Sequence, residues 1–283
     1  MTDISFEVFP PKTDAGLVQL ADTARRLAAV DPTFVSVTYG AGGSQHHRSF
    51  AAIEATAASG VTIAAHLTCV GQPASEIAAV MDAYESLGVE HIVALRGDPP
   101  NGIDAPYAPH PDGYQRTADL VAAAAARERF GDVIVSAYPE RHPQSPTLDH
   151  DLDVLADKVA AGADRAITQM FFDVDLFARY LEQVRAHGID IPIVPGIFPI
   201  HSFPAVAAFA ARCGATIPAA VAERFAGLDD DPAAAREVAA DHAADQIERL
   251  AALGVDHVHL YTLNRAELAL AVCDRLDRTL AVS

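Results

Sequence analysis

Short runs rich in valine, isoleucine and phenylalanine alternate along the chain with longer alanine- and leucine-rich segments whose apolar residues recur at helical spacing. The short runs predict eight strands, over residues 4–9, 34–38, 63–67, 91–95, 133–137, 165–168, 193–197 and 257–261. The longer segments predict helices over 17–30, 49–59, 74–87, 114–129, 152–161, 176–187, 205–213 with a further helix over 234–253, and 266–276. Eight β-then-α units of this size predict one closed parallel (β/α)8 TIM barrel over residues 1–283, an α/β fold whose seventh unit carries extra helix. A doubly wound open sheet is the alternative arrangement of the same elements. Gly60, Gly88, Gly131, Gly162, Gly188 and Gly254 each stand just ahead of a strand, where a helix is expected to end.

A parallel barrel assembles its site at the carboxyl ends of its strands, so the polar residues there are the candidates for chemistry. They run Glu7, Thr38 and Tyr39, His66 and Thr68, Arg96-Gly97-Asp98, Tyr138, Glu140 and His142, Gln169, Gly196, then Tyr261, Asn264 and Arg265. Glu7 lies within the apolar run Phe6-Glu7-Val8-Phe9. A carboxyl group pointing into a barrel from such a strand is desolvated, its pKa rises, and it can serve as a general acid near neutral pH. The alternative is a structural ion pair with an interior arginine. Arg96-Gly97-Asp98 places a cation, a side-chain-free backbone and an anion after the fourth strand. It reads either as a ligand-binding turn or as a tight turn with a surface ion pair. Tyr138-Pro139-Glu140-Arg141-His142-Pro143 is a stiff aromatic loop suited to a planar ligand.

Composition narrows the partners. With 38 acidic and 20 basic side chains the formal charge is -18, which repels nucleic acid and anionic membrane surfaces. An anionic cofactor therefore needs a local basic patch. Lysine is confined to Lys12 and Lys158, and Lys158, within the fifth helix segment, reads as a phosphate counter-ion or a surface charge rather than a Schiff-base nucleophile. Cys69, Cys213 and Cys273 are odd in number and widely spaced, which fits small buried residues rather than disulfides or a thiolate metal site. His46-His47 reads as a solvated loop pair, and no metal site is expected. No long apolar run or targeting signal is visible, so a cytoplasmic location is expected. The Gly40-Ala41-Gly42-Gly43-Ser44 turn lacks the dinucleotide fingerprint, and residues 99–111 form a proline-rich loop.

Ser5-Phe6-Glu7-Val8-Phe9-Pro10-Pro11, Phe34-Val35-Ser36-Val37-Thr38-Tyr39-Gly40, His66-Leu67-Thr68-Cys69 and His91-Ile92-Val93-Ala94-Leu95-Arg96-Gly97-Asp98 resemble, in order, signatures of the bacterial methylenetetrahydrofolate reductase family. So do Ala137-Tyr138-Pro139-Glu140, Ala166-Ile167-Thr168-Gln169-Met170-Phe171-Phe172-Asp173, Pro195-Gly196-Ile197 and Tyr261-Thr262-Leu263-Asn264-Arg265-Ala266-Glu267. The resemblance spans the whole predicted barrel. It implies FAD at the barrel mouth, NADH or NADPH as co-substrate, methylenetetrahydrofolate as the group reduced, ping-pong exchange of the two substrates, a role in methionine synthesis, and a homo-oligomer. By the same resemblance, Glu7 is the general acid and Asp98 the carboxylate between flavin and pterin. Gln169, Phe209, Tyr261 and Arg265 contact substrate. Thr38, Tyr39, His66, Arg96, Gly97, Asp98, Tyr107, Tyr138, His142, Asp151 and Lys158 hold FAD. Ala205 stands where some relatives carry a glutamine, and the chain stops where the barrel ends, without the regulatory region of animal enzymes. Two other readings share these motifs: direct hydride transfer from the nicotinamide to the same folate without flavin, and a non-redox barrel that presents a methylated pterin to a partner.

Overall fold

The computed structural model describes residues 2–39, 46–99 and 107–282, without the side chains of His46 and of residues 277–282. The glycine-rich turn at 40–44 and the 100–106 part of the proline-rich loop therefore lie outside the described residues, and of the histidine pair only the His47 side chain is described.

The strands are β1 (Asp3–Val8), β2 (Val35–Val37), β3 (Ile63–Thr68), β4 (His91–Leu95), β5 (Val133–Ala137), β6 (Arg165–Thr168), β7 (Ile193–Val194), β8 (Gly196–Ile197) and β9 (His257–Tyr261). All pairings are parallel, and the sheet runs β7-β6-β5-β4-β3-β2-β1-β9-β8. The two ends of that order are consecutive in the chain, separated by Pro195 alone, so the expected seventh strand is present as two halves. One half pairs with β6 and the other with β9. Proline cannot donate to a ladder, and the break at Pro195 lets the strand turn from one neighbour to the next and close the ring. The pairing of β1 with β9 excludes the open doubly wound sheet.

Helices follow the strands as α1 (Asp14–Leu27), α2 (His46–Ala57), α3 (Ala74–Ser86), α4 (Thr117–Ala125), α5 (Leu148–Ala160) and α6 (Val174–Ala186). The seventh unit carries α7 (Phe203–Cys213), a short α8 (Ala219–Arg224) that the sequence pattern does not reveal, and α9 (Pro232–Ala252). The chain ends on α10 (Ala266–Val282). Helix starts use side-chain caps: Thr13, Thr147, Asp173 and Asp231 accept from backbone N–H groups two or three residues on. The expected helix over 114–129 is trimmed to α4, and Gly131 lies beyond its end without the positive φ found at Gly60, Gly88, Gly162, Gly188 and Gly254. No helix among the described residues is long and apolar enough to cross a membrane.

Inside the ring, Phe34, Ala64, Val93, Ile134, Ile167 and Val194 form one apolar cluster, separate from the larger core between strands and helices. It fills the side of the barrel made by β2 through β7. The side made by β1, β9 and β2 is polar instead, because Ser5 and Glu7 alternate inward on one strand and His257, His259 and Tyr261 on its neighbour.

At the closure, a Cβ on Gly196 would lie 2.2 Å from the Thr168 carbonyl oxygen and 2.7 Å from the Tyr261 ring. Gly196→Ala is therefore expected to force apart β6, β8 and β9 and cost about 2 kcal/mol or more in denaturant unfolding. Native stability in that variant would show that closure does not depend on this close approach.

Candidate active site

The carboxyl ends of the strands open onto a cavity of about 280 Å³. That is at the small end of ligand pockets, enough for a planar ring system whose tails lie outside. Its floor is polar, with Glu7, His66, Ser136, Gln169 and Tyr261. Its walls and rim are apolar or aromatic, with Val93, Leu95, Val135, Ile167, Met170, Leu263, Phe9, Tyr138, Phe198 and Phe209.

Glu7 is placed by its strand and fixed by the turn after β9. Thr262 Oγ1 donates to the Glu7 carbonyl at 2.6 Å. Two residues on, Asn264 accepts from Phe9 N at 2.9 Å and donates to Phe9 O at 2.8 Å, so its side-chain amide continues the β1–β9 pairing. These contacts hold Leu263 and Asn264 at φ of 52° and 56°, a left-handed conformation costly for leucine. The Glu7 side chain retains 24% of its surface, opening on the cavity, and its neighbours are histidines. His66 Nε2 lies 3.4 Å and His259 Nε2 4.0 Å from Oε2. The interior arginine considered as an alternative partner is not found among the described residues.

Burial sets the charge of both groups on the floor. It raises the Glu7 carboxyl to about 8 and lowers the His66 imidazole to about 3. At neutral pH the proton sits on the acid and the imidazole is uncharged, so Glu7 faces the cavity as a carboxylic acid. His66 Nε2 is buried without a hydrogen bond, because its approach to Glu7 lacks hydrogen-bond geometry.

Tyr261 donates its phenol to Thr168 O at 2.8 Å, and Thr168 Oγ1 accepts from Gly196 N at 2.9 Å, which orients the ring over the floor. Gln169 is held through Oε1, which accepts from Met170 N at 2.9 Å. Phe209 on α7 covers the opening, half exposed and 5.7 Å from the Phe198 ring. Ala205 precedes it by one helical turn and is exposed. Arg265 is exposed and lines a smaller adjoining recess with His201.

On the β4–β6 side of the mouth, Arg96 stacks on Tyr107 at 4.9 Å and donates to Gln144 at 2.6 Å. Tyr138 packs edge-on against His142 with ring centroids 4.8 Å apart. Asp151, in the first turn of α5, accepts from His142 N at 2.9 Å and from Ser145 Oγ. Lys158 is buried and donates to Ser136 O at 2.6 Å, which corrects its reading as a surface charge; burial lowers its ammonium to about 8. Gly97, at φ of 81°, turns the chain so that Asp98 stands exposed on the rim. The surface Arg96–Asp98 pair is not formed, since Arg96 engages Tyr107 and Gln144 instead. Thr38 N donates to Val8 O at 3.0 Å, and Tyr39 donates to Gln72 at 3.2 Å, so both stand at the end of β2 away from the cavity floor.

Sequence reasoning missed His259, Ser5 and Ser36 beneath Glu7. The period-two spacing of His257, His259 and Tyr261 in β9 was the available signal.

A family model described as methylenetetrahydrofolate reductase matches residues 1–277. The chain is 40% identical to the 5,10-methylenetetrahydrofolate reductase of Escherichia coli over 97% of its own length and 90% of that protein's. It is 34% identical to the Arabidopsis thaliana protein named methylenetetrahydrofolate reductase (NADH) 1, over 96% of this chain and 48% of that one. Among solved structures, a Clostridium thermocellum protein described as binding two copies of 5-methyl-5,6,7,8-tetrahydrofolic acid has a TM-score of 0.63 at 12% identity, covering 99% of this chain and 96% of that one. A 3-dehydroquinate dehydratase from Geobacillus kaustophilus has a TM-score of 0.55 at 13% identity, over 100% and 93%. These structural likenesses show the barrel fold.

The raised Glu7 carboxyl makes a stability prediction with a definite sign. Between the ordinary value of 4.5 and about 8, the folded protein holds a proton that the unfolded chain has lost, so stability falls as pH rises through that window. Glu7→Gln removes the loss. Its stability relative to the native chain is expected to climb from pH 4.5 to 8, on the order of 4 kcal/mol at roughly 1.4 kcal/mol for each tenfold change in proton affinity. Parallel denaturation curves at several pH values check this, and a constant difference across the window would contradict it.

Proposed function

This chain belongs to the methylenetetrahydrofolate reductase family, and on that premise we propose that it reduces 5,10-methylenetetrahydrofolate to 5-methyltetrahydrofolate with NADH or NADPH as hydride donor. The observation that carries the reading is a carboxylic acid held neutral at the floor of an apolar cavity of ring-system size. The imidazolidine ring of the substrate opens when a proton reaches its N10, leaving an iminium whose methylene carbon accepts hydride. Glu7 supplies that proton, and the dry aromatic walls keep water from the iminium. Gln169 and Tyr261 fix the heterocycle above Glu7, Phe209 covers it, and Arg265 meets the substrate outside the cavity. Asp98, exposed on the rim, lies clear of Glu7 and acts on the electrostatics of the mouth rather than on the same proton.

The β4–β6 side of the mouth fits FAD. Arg96 and Lys158 provide cations in an otherwise acidic protein, and Tyr107, Tyr138 and His142 provide aromatic surface. Arg96 and Lys158 would face the pyrophosphate and isoalloxazine, Asp151 would hold the His142 loop in place, and Thr38, Tyr39, His66 and Gly97 would complete the cradle. Bound there, FAD would carry the hydride from the nicotinamide nucleotide to the folate, with the two substrates taking turns at one site.

Glu7→Gln is expected to lower folate reduction by roughly a hundredfold or more while nicotinamide oxidation with a quinone acceptor persists. Equal loss of both would remove the acid role from Glu7. Flavin absorbance in the purified protein that bleaches with NADH and returns with methylenetetrahydrofolate supports the FAD route. A colourless protein that oxidises NADH only in the presence of the folate would assign direct transfer instead.

A further inference from the structure

In a chain of formal charge -18, arginines are readily taken up by carboxylates. Arg48, Arg127, Arg224 and Arg249, for example, pair with acidic side chains at 2.6 to 2.8 Å. Arg212, exposed in the last turn of α7, is placed differently. Among the described residues no carboxylate forms an ion pair with it, and its guanidinium carbon lies 5.6 Å from the centre of the Phe209 ring. Phe209 lines the cavity, so Arg212 stands at the edge of the opening. Contact with the ring occupies one face of the guanidinium plane and leaves its N–H edges able to donate.

The end of α7 is fixed against the aromatic loop that follows β5. Thr216 N donates to Glu140 Oε1 at 2.8 Å. Gly214, at φ of 77°, closes the helix so tightly on this loop that a Cβ there would lie 3.2 Å from Arg141 O. The Cys213 thiol is raised by burial, and beyond that it feels Arg212 and Asp98 with opposite sign, so this last turn is within electrostatic reach of the β4 rim. A cation serving the helix dipole would lean toward the last carbonyls, whereas Arg212 reaches back one turn to Phe209.

We propose that Arg212 binds a phosphate of the reduced nicotinamide nucleotide and holds this co-substrate while its ring occupies the cavity. The inference rests on the reading of the chain as a reductase of methylenetetrahydrofolate, and it applies whether the hydride passes through FAD or directly. A cavity of about 280 Å³ takes the nicotinamide ring and leaves the rest of the nucleotide outside. One ribose separates that ring from the pyrophosphate, so the phosphates begin at the mouth. There the guanidinium edges can donate to them in charge-assisted pairs, and the cation offsets the repulsion that an acidic protein exerts on a dinucleotide. The other cations have different tasks in the proposed scheme, with Arg96 and Lys158 facing FAD and Arg265 facing the folate. Because folate and nucleotide take turns in one cavity, separate cations let each be held by its own tail.

The test uses Arg212→Gln, which keeps the side-chain stem over Phe209 and removes the charge. In the purified, cofactor-loaded protein, KM for NADH and NADPH is expected to rise roughly tenfold, with kcat and the KM for methylenetetrahydrofolate within about twofold of native. The oxidised nucleotides cannot donate hydride and so report binding alone, and their dissociation constants should rise by a similar factor. An equal rise for both nucleotides assigns the pyrophosphate, and a rise confined to NADPH assigns the 2′-phosphate. Arg212→Lys should recover part of the affinity, since the charge returns without the two-pronged geometry. Native KM for both nucleotides in Arg212→Gln would overturn the proposal. An equal rise in the folate KM would overturn it too, because Arg212 would then act as a general field at the mouth. A native chain that oxidises neither nucleotide in the presence of the folate would remove the functional reading, with binding of the oxidised nucleotides still deciding the role of Arg212.

Discussion

A carboxyl group buried without a permanent cation beside it sets the terms for the interior of this barrel. Burial alone raises Glu7 to about 8, and the two imidazoles nearest to it are themselves pushed toward neutrality. The arrangement avoids the heavier cost of a desolvated charge by keeping every member uncharged near pH 7. That choice explains why the floor is made from histidine, serine and tyrosine rather than from arginine or lysine. A cation within hydrogen-bonding distance would pull the carboxyl down into its ordinary range and remove its capacity to donate.

The surrounding structure holds that acid in place without giving it charge. The Thr262–Asn264 turn extends the β1–β9 pairing to Phe9 and accepts two left-handed residues to do so. On the opposite side, the break at Pro195 and the absence of a side chain at Gly196 let Tyr261 reach Thr168 across the closure. Cations stay off the floor, with the buried Lys158 bound to the Ser136 carbonyl of β5 and Arg96 turned along the rim. The result is a neutral, dry floor beneath a rim able to meet an anionic ligand.

The strands were readable because fully buried parallel strands leave short β-branched runs, and β4, β5, β6 and β9 have the bounds expected from them. Strand seven was harder, since a proline inside a continuous apolar run gives no sign of which neighbour each half will join. Gly131 resembled the helix-ending glycines in spacing, but α4 stops well before it. The cavity-facing positions of Glu7, His66, Tyr138, Gln169, Phe209 and Tyr261 could be named from strand ends and motifs, whereas the inward face of Lys158 could not. Its helix is amphipathic, and a single lysine on such a helix gives no indication that its amine will be buried against the Ser136 carbonyl. The polar residues below Glu7 were written in the alternation of β1 and β9, but recognising them as one group requires knowing that these two strands are neighbours, which only closure of the barrel establishes.

The most direct measurement is the ionisation of Glu7 itself, followed by carbon NMR on protein labelled at the glutamate side-chain carboxyls. The Glu7 resonance is assigned by its loss in Glu7→Gln. A midpoint near 8 is expected. A midpoint near the ordinary 4.5 would mean that the carboxyl is charged at neutral pH, and the account of a neutral acid at the barrel floor would be wrong.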